Sequence, residues 1–182
     1  MSAAVLSVGS NLGDRLDHLA AALRAVARAT GGPVAVSAVY ETAPWGPVPQ
    51  PAYLNAVLVA DDPERDARGW LAVAHGCERA AGRLRDVRWG ARTLDVDVVQ
   101  VVDTAGPVRS DDPLLTLPHP RAHERGFVLV PWLDVQPDAV LAGRGPVAAL
   151  VDGLPPAERD GVRRRDDLAL ATPAGRGEAT AE

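Results

Sequence analysis

The chain has a single cysteine, a single phenylalanine and no lysine. Cys77 alone cannot close an internal disulfide, which suits a reducing, cytoplasmic setting. It falls in a helical pattern, where it reads as a small buried apolar residue. No apolar run approaches the roughly 20 residues that cross a bilayer, so a helical membrane span is excluded. The opening Met1-Ser2-Ala3-Ala4-Val5-Leu6-Ser7-Val8 lacks a basic leader and reads as a first strand, not a secretory signal. Aromatics are 4% of the chain and the net charge is −5, which argues against bulk electrostatic binding to nucleic acid. No internal repeat is visible. With lysine absent, all 19 basic residues are Arg. That bias goes with genome composition, so only the positions of the Arg residues carry information.

What is present fits an ordinary globular chain: 182 residues, 47% apolar and 24% charged. One domain over 1–158 is expected, with 159–182 a polar, disordered tail. Residues 3–8 read as a buried strand, and Leu16, Leu19, Ala20, Leu23 and Val26 recur at helical spacing behind an Asp14 cap. Gly31-Gly32-Pro33 stops that helix. Val34–Glu41 and Tyr53–Ala60 alternate as strands, separated by a loop whose four prolines forbid regular structure. A loop of that length in a compact domain is often a lid or binding loop. A second helix spans Asp66–Ala81, followed by an Arg-rich loop and a strand over Thr93–Val102. The order β-α-β-β-α-β predicts an α+β, ferredoxin-like antiparallel sheet with both helices on one face. After 103 come a short hairpin, a helix over Arg125–Leu133 and another near Pro146–Val151.

The strongest chemical signal is Arg92-Thr93-Leu94-Asp95-Val96-Asp97-Val98. On a strand, residues two apart share a face, so Asp95 and Asp97 project together about 7 Å apart while Leu94, Val96 and Val98 face the core. Close carboxylates on a strand repel unless something neutralises them. Magnesium does so, taking one or two carboxylates, water and phosphate oxygens. The adjacent Arg83, Arg85, Arg88 and Arg92 suit a polyphosphate, because each planar fork pairs with phosphate oxygens. The plainer alternative is two solvated acids beside a charged loop. Tyr53 and Asn55 share a strand face, where a ring could stack on a flat heterocycle while an amide reads its edge. Read locally, ordinary cross-strand packing explains that pair better. Leu117-Pro118-His119-Pro120-Arg121 and Arg125-Gly126-Phe127 add a His, two Arg and the only Phe. Gly9-Ser10-Asn11 lacks P-loop spacing and reads as a turn into the first helix.

Together these pieces resemble the 6-hydroxymethyl-7,8-dihydropterin pyrophosphokinase family of folate biosynthesis. The resemblance runs through Gly9-Ser10-Asn11-Leu12, Tyr40-Glu41-Thr42, Tyr53-Leu54-Asn55-Ala56 and Gly82-Arg83-Leu84-Arg85. It continues through Arg92-Thr93-Leu94-Asp95-Val96-Asp97, Pro118-His119-Pro120-Arg121 and Arg125-Gly126-Phe127. It implies transfer of pyrophosphate from ATP, the co-substrate, to a pterin alcohol with release of AMP. Asp95 and Asp97 would hold two Mg2+ ions, and Arg83 and Arg92 would join them as catalytic residues. Thr42, Ala43, Trp45, Tyr53, Asn55 and Phe127 would bind the pterin. Glu78, Arg83, Arg85, Arg88, Trp89, Arg92, Val98, Thr116, His119 and Arg125 would bind ATP. The implied partners are these small molecules, with no nucleic acid or membrane, and the implied state is a monomer. Two rival readings are a two-metal nuclease or phosphatase, which leaves Tyr53 and Asn55 unexplained, and a ferredoxin-like RNA-binding domain, which the acidic balance disfavours.

Overall fold

The computed structural model describes residues 2–44, 49–82 and 92–171. Strand β1 (Ala3–Ser10) leads into helix α1 (Arg15–Thr30), then β2 (Val34–Val36), β3 (Tyr40–Thr42) and β4 (Tyr53–Asp61). Helix α2 (Ala67–Ala80) and β5 (Asp95–Asp103) complete the expected core. There follow β6 (Gly106–Pro107), the β7 (Ser110–Asp112) and β8 (Leu115–Leu117) hairpin, and α3 (Gly126–Val135). The chain then forms β9 (Val140–Leu141), β10 (Gly145–Pro146), α4 (Val147–Asp152), α5 (Pro156–Asp160) and β11 (Arg163–Arg164). The main sheet runs β11-β3-β4-β1-β5-β6, with β2 also on β4, and its pairings are antiparallel. The ferredoxin-like α+β architecture is the one the sequence predicts.

Strand alternation divides the sheet into two faces. Ala4, Leu6 and Val8 of β1, Leu54, Ala56 and Leu58 of β4, and Val96 and Val98 of β5 meet Leu19, Leu23 and Val26 of α1 and Trp70, Ala74 and Cys77 of α2. The opposite face carries Val5, Val57 and Val99 against Val128, Leu129 and Trp132 of α3 and Val147 of α4. Each buried Leu or Val among these contributes about 1.5–3 kcal/mol by leaving water. The helices start where the sequence predicts: Asp14 accepts from Asp17 N–H, and Asp66 accepts from Gly69 N–H. Gly31 ends α1 at φ 65°, a left-handed cap that suits glycine.

Three local features depart from a regular plan. The single strand expected over Val34–Glu41 is two strands. At the break, Val57 N–H bonds the Ser37 hydroxyl at 3.0 Å, and Asp134 of α3 takes Ala38 N–H at 2.7 Å. Ser37 N–H keeps a backbone bond there, to Val57 O at 3.0 Å, and side chains take these two other N–H groups. Second, the disorder expected from Arg159 does not describe residues 159–171. Arg163 and Arg164 pair with Glu41 and Tyr40 of β3, and Leu168 and Leu170 pack on the first core. A polar composition conceals this because edge pairing and ion pairs hold the segment as much as burial does. Residues 172–182 lie outside the described residues.

Third, the β1–β5 register slips: Leu6 faces Val98 but Val5 faces Gln100, so Val99 is an extra residue. The slip reverses which backbone groups face outward. Val96 N–H points to the outer edge and bonds Glu78 Oε1 at 3.1 Å. In a regular strand Val99, an odd number of residues later, would point inward. Instead its carbonyl takes His119 N–H at 2.8 Å on that same outer edge.

Candidate active site

Toward the Ser10 end of β1, the face shared with α3 changes from apolar to polar. Ser7 lies opposite Val57 on β4 and Asp97 on β5; Gly9 lies opposite Asn55 and Asp95. Two small residues in the central strand thus leave open space between a strand bearing Tyr53 and Asn55 and one bearing both acids. Gly9 is required by this closeness, since a Cβ there would come 2.8 Å from Asn55 Oδ1. The space is a cleft of about 700 Å³, solvent-open volume included, walled also by Thr42, Ala43, Gln50, Arg92, Arg125 and Phe127. Asn55 is buried and donates Nδ2–H to Thr42 Oγ1 at 2.9 Å, which fixes the amide's orientation.

A second cavity of about 780 Å³, again including open space, lies on the other side of the acids. Glu78, Val98, Thr116 and His119 help line it, with Leu71 and His75. Arg92, Asp95 and Asp97 belong to both walls. The two acids therefore stand on one sheet surface at a junction of two chambers, as the strand spacing predicts.

Each acid has a guanidinium beside it. Arg92 Nη1 bonds Asp95 Oδ2 at 2.5 Å, and Arg125 Nη1 bonds Asp97 Oδ2 at 3.0 Å. Burial pushes the Asp97 carboxyl above its ordinary range, Asp95 adds to that push, and His119 and Arg125 oppose it. His119 Nδ1 accepts from Arg121 N–H at 3.2 Å, so the neutral ring carries its proton on Nε2, 3.9 Å from Asp97 Oδ2. Burial holds the His119 pKa below its ordinary value, with Asp97 pulling the other way. Arg125 Nε is buried with no hydrogen-bond partner among the described residues, and its guanidinium sits 5.5 Å from the Phe127 ring centroid. A half-buried carboxylate repelled by its neighbour, beside an unsatisfied cationic donor, fits a site completed by divalent cations and phosphate oxygens.

Asn11 is the residue whose role the sequence understated. It is buried, its Oδ1 accepts Arg92 N–H at 2.7 Å, and its own N–H bonds Arg92 O at 3.1 Å. Its Nδ2 donates to Gln50 Oε1 at 2.9 Å and to Pro51 O at 3.2 Å. One amide ties the ends of the Pro-rich and Arg-rich loops together behind the cleft. Ser7, Gly9 and Gln50 were also missed. The only sequence signal for the first two is small residues two apart at the end of an apolar strand. Of the predicted residues, Thr42, Ala43, Tyr53, Asn55 and Phe127 gather in the first cavity and Glu78, Val98, Thr116 and His119 in the second. Arg92, Asp95 and Asp97 join the two, and Arg125 lines the first. Trp45, Arg83, Arg85, Arg88 and Trp89 lie outside the described residues.

A ferredoxin-like α+β sheet carrying paired carboxylates and guanidinium groups between two chambers defines a two-substrate group-transfer enzyme. Comparison with known proteins makes this specific. Residues 5–137 match the family model described as 7,8-dihydro-6-hydroxymethylpterin-pyrophosphokinase (HPPK). The chain is 51% identical over 172 residues to the 2-amino-4-hydroxy-6-hydroxymethyldihydropteridine pyrophosphokinase of Mycobacterium tuberculosis, covering 90% of this chain and 89% of the relative. It is 52% identical over 172 residues to that of Mycobacterium leprae, covering 90% and 88%. A solved HPPK-DHPS from Plasmodium falciparum shares the fold, with TM-score 0.61 at 14% identity over 84% of this chain. The chain spans only 44% of that longer protein. This chain belongs to the HPPK family.

Proposed function

We propose that the chain transfers the pyrophosphoryl group of ATP to the hydroxymethyl oxygen of 6-hydroxymethyl-7,8-dihydropterin, releasing AMP, in folate biosynthesis. The observation that carries the reading is the meeting of two cavities at Asp95 and Asp97. The first suits a pterin: Tyr53 and Phe127 offer aromatic faces, and the Asn55 amide, oriented by Thr42, offers a donor–acceptor edge. The second suits the nucleotide, with Glu78, Val98, Thr116 and His119 along its wall.

Asp95 and Asp97 would hold Mg2+, which when bound draws phosphate oxygens to the carboxylates and offsets charge on the transferred group. Arg92 and Arg125, already beside the acids, supply positive charge where the leaving oxygen and the bridging phosphates would lie. His119 presents an N–H toward the same point. The protein's work in this reading is positioning and charge stabilisation, so no side chain need act as general base. The test is incubation with ATP, magnesium and the pterin followed by nucleotide identification. AMP formed only when the pterin is present is expected; ADP, or pterin-independent hydrolysis, overturns the reading.

A further inference from the structure

We propose that residues 156–170 form a brace holding two walls of the first cavity in register, with Arg165 as its positioning residue. The segment lies beyond the family-matched residues 5–137, and none of it lines either cavity. It supports the first cavity from behind, at two places. At one, α5 packs on the start of α3 so tightly that a Cβ on Gly126 would lie 2.3 Å from the Glu158 carbonyl oxygen. Gly126 stands between Arg125 and Phe127, both cavity walls. At the other, β11 pairs with β3, and Arg165 N–H bonds Val39 O at 2.8 Å.

Arg165 then reaches back with its side chain. Its Nη1 lies 2.9 Å from Glu41 Oε2, and the same oxygen is 3.4 Å from Arg15 Nη1. Arg15 Nη1 also donates to Ala52 O at 2.8 Å. Glu41 is thereby tied to the C-terminal segment on one side and to the far end of the Pro-rich loop on the other. Its neighbour Thr42 holds the Asn55 amide. Without β11, β3 would be a three-residue edge strand with its outer backbone groups unpaired. Leu168 and Leu170 anchor the brace on the first core. The strand order puts three strands, β3, β4 and β1, between β11 and β5, away from Glu78, Thr116 and His119. Arg165, at the β3 end of the brace, therefore acts on pterin binding and not on nucleotide binding, whereas the α5 end also backs Arg125 and its bond to Asp97.

This inference rests on the pterin reading of the first cavity. Its test uses full-length Arg165→Ala, Arg165→Lys and Glu41→Gln proteins, with separate dissociation constants for ATP and the pterin, KM, kcat and Tm. Arg165→Ala is expected to weaken the pterin about fivefold to tenfold while ATP changes less than about twofold, a split that lost positioning produces. Arg165→Lys should recover most of the loss, and Glu41→Gln should reproduce the split from the strand side. Should Arg165→Ala fail to fold, Glu41→Gln decides. A lower Tm with both affinities unchanged, or equal losses for both substrates, overturns the brace. A parent chain that binds no pterin overturns the functional reading and this inference with it.

Discussion

At the scale of single residues, Asp97 sets the balance between stability and chemistry. Its carboxyl is half-buried, stands near a second acid, and titrates above its ordinary range through desolvation and that neighbour, in that order. Charging it costs the folded, metal-free protein stability, and Arg125 and His119 offset only part of that cost. Asp97→Asn keeps the shape and removes the charge. We expect its metal-free Tm to equal or exceed the parent's by calorimetry, while turnover falls about a thousandfold. A clear drop in Tm would show the carboxylate to be a structural ion pair. The acid pair was legible in the sequence because Asp is unwelcome in a strand and two of them on one face demand a reason. Asn11 was not legible, since its four bonds run to residues on two distant loops, and nothing beside it in the chain announces them.

At the scale of elements, β1 is the floor of the first cavity because it is small where its neighbours are functional. Gly9→Ala would drive a Cβ to 2.8 Å from Asn55 Oδ1, and the amide must move. Steady-state kinetics should show the pterin KM raised at least about tenfold with the ATP KM little changed, since Asn55 lines only the first cavity. Strand β3 carries a different signature. Burial raises the Tyr40 phenol above its ordinary range, Asp134 adds to this, and the Arg164 hydrogen bond opposes it. The folded chain thus keeps the Tyr40 proton longer than the unfolded chain does. The stability this contributes is complete below the ordinary phenol pKa and lost as pH rises through the folded value. Alkaline titration of phenolate absorbance should show a late-titrating group that disappears in Tyr40→Phe. The periodic elements, β1, α1, β4, α2 and β5, were legible because each buries a face of its own. The break at Ser37–Ala38 was not, since its cause, Asp134, lies 96 residues away. The strand at Arg163–Arg164 was hidden for a similar reason: its partner strand, not its composition, makes it a strand.

At the scale of the whole molecule, one sheet separates two jobs. The face under α1 and α2 is core up to the β5 edge, where Val98 and Glu78 turn to the second cavity, while the other is core beneath α3 and reactive cleft beyond that helix's first turn. Divalent cations would then link stability to catalysis. Chelation with EDTA should abolish AMP release, and magnesium should restore it. Magnesium should also raise the parent's Tm, by about 2.7 kcal/mol of stability at a hundredfold excess over Kd, and raise that of Asp97→Asn less. Equal increases in both proteins would place the ion elsewhere. The supernumerary Val99 has a consequence for chain length itself. It lets the acids keep their pairing with β1 while the same strand, a few residues later, offers a carbonyl to His119. Removing that one residue would leave the two carboxylates where they stand and swing the His119 loop off its peg. Pruning a single link should thus disable the nucleotide chamber alone, and insertions or deletions here should be far less forgiven than substitutions.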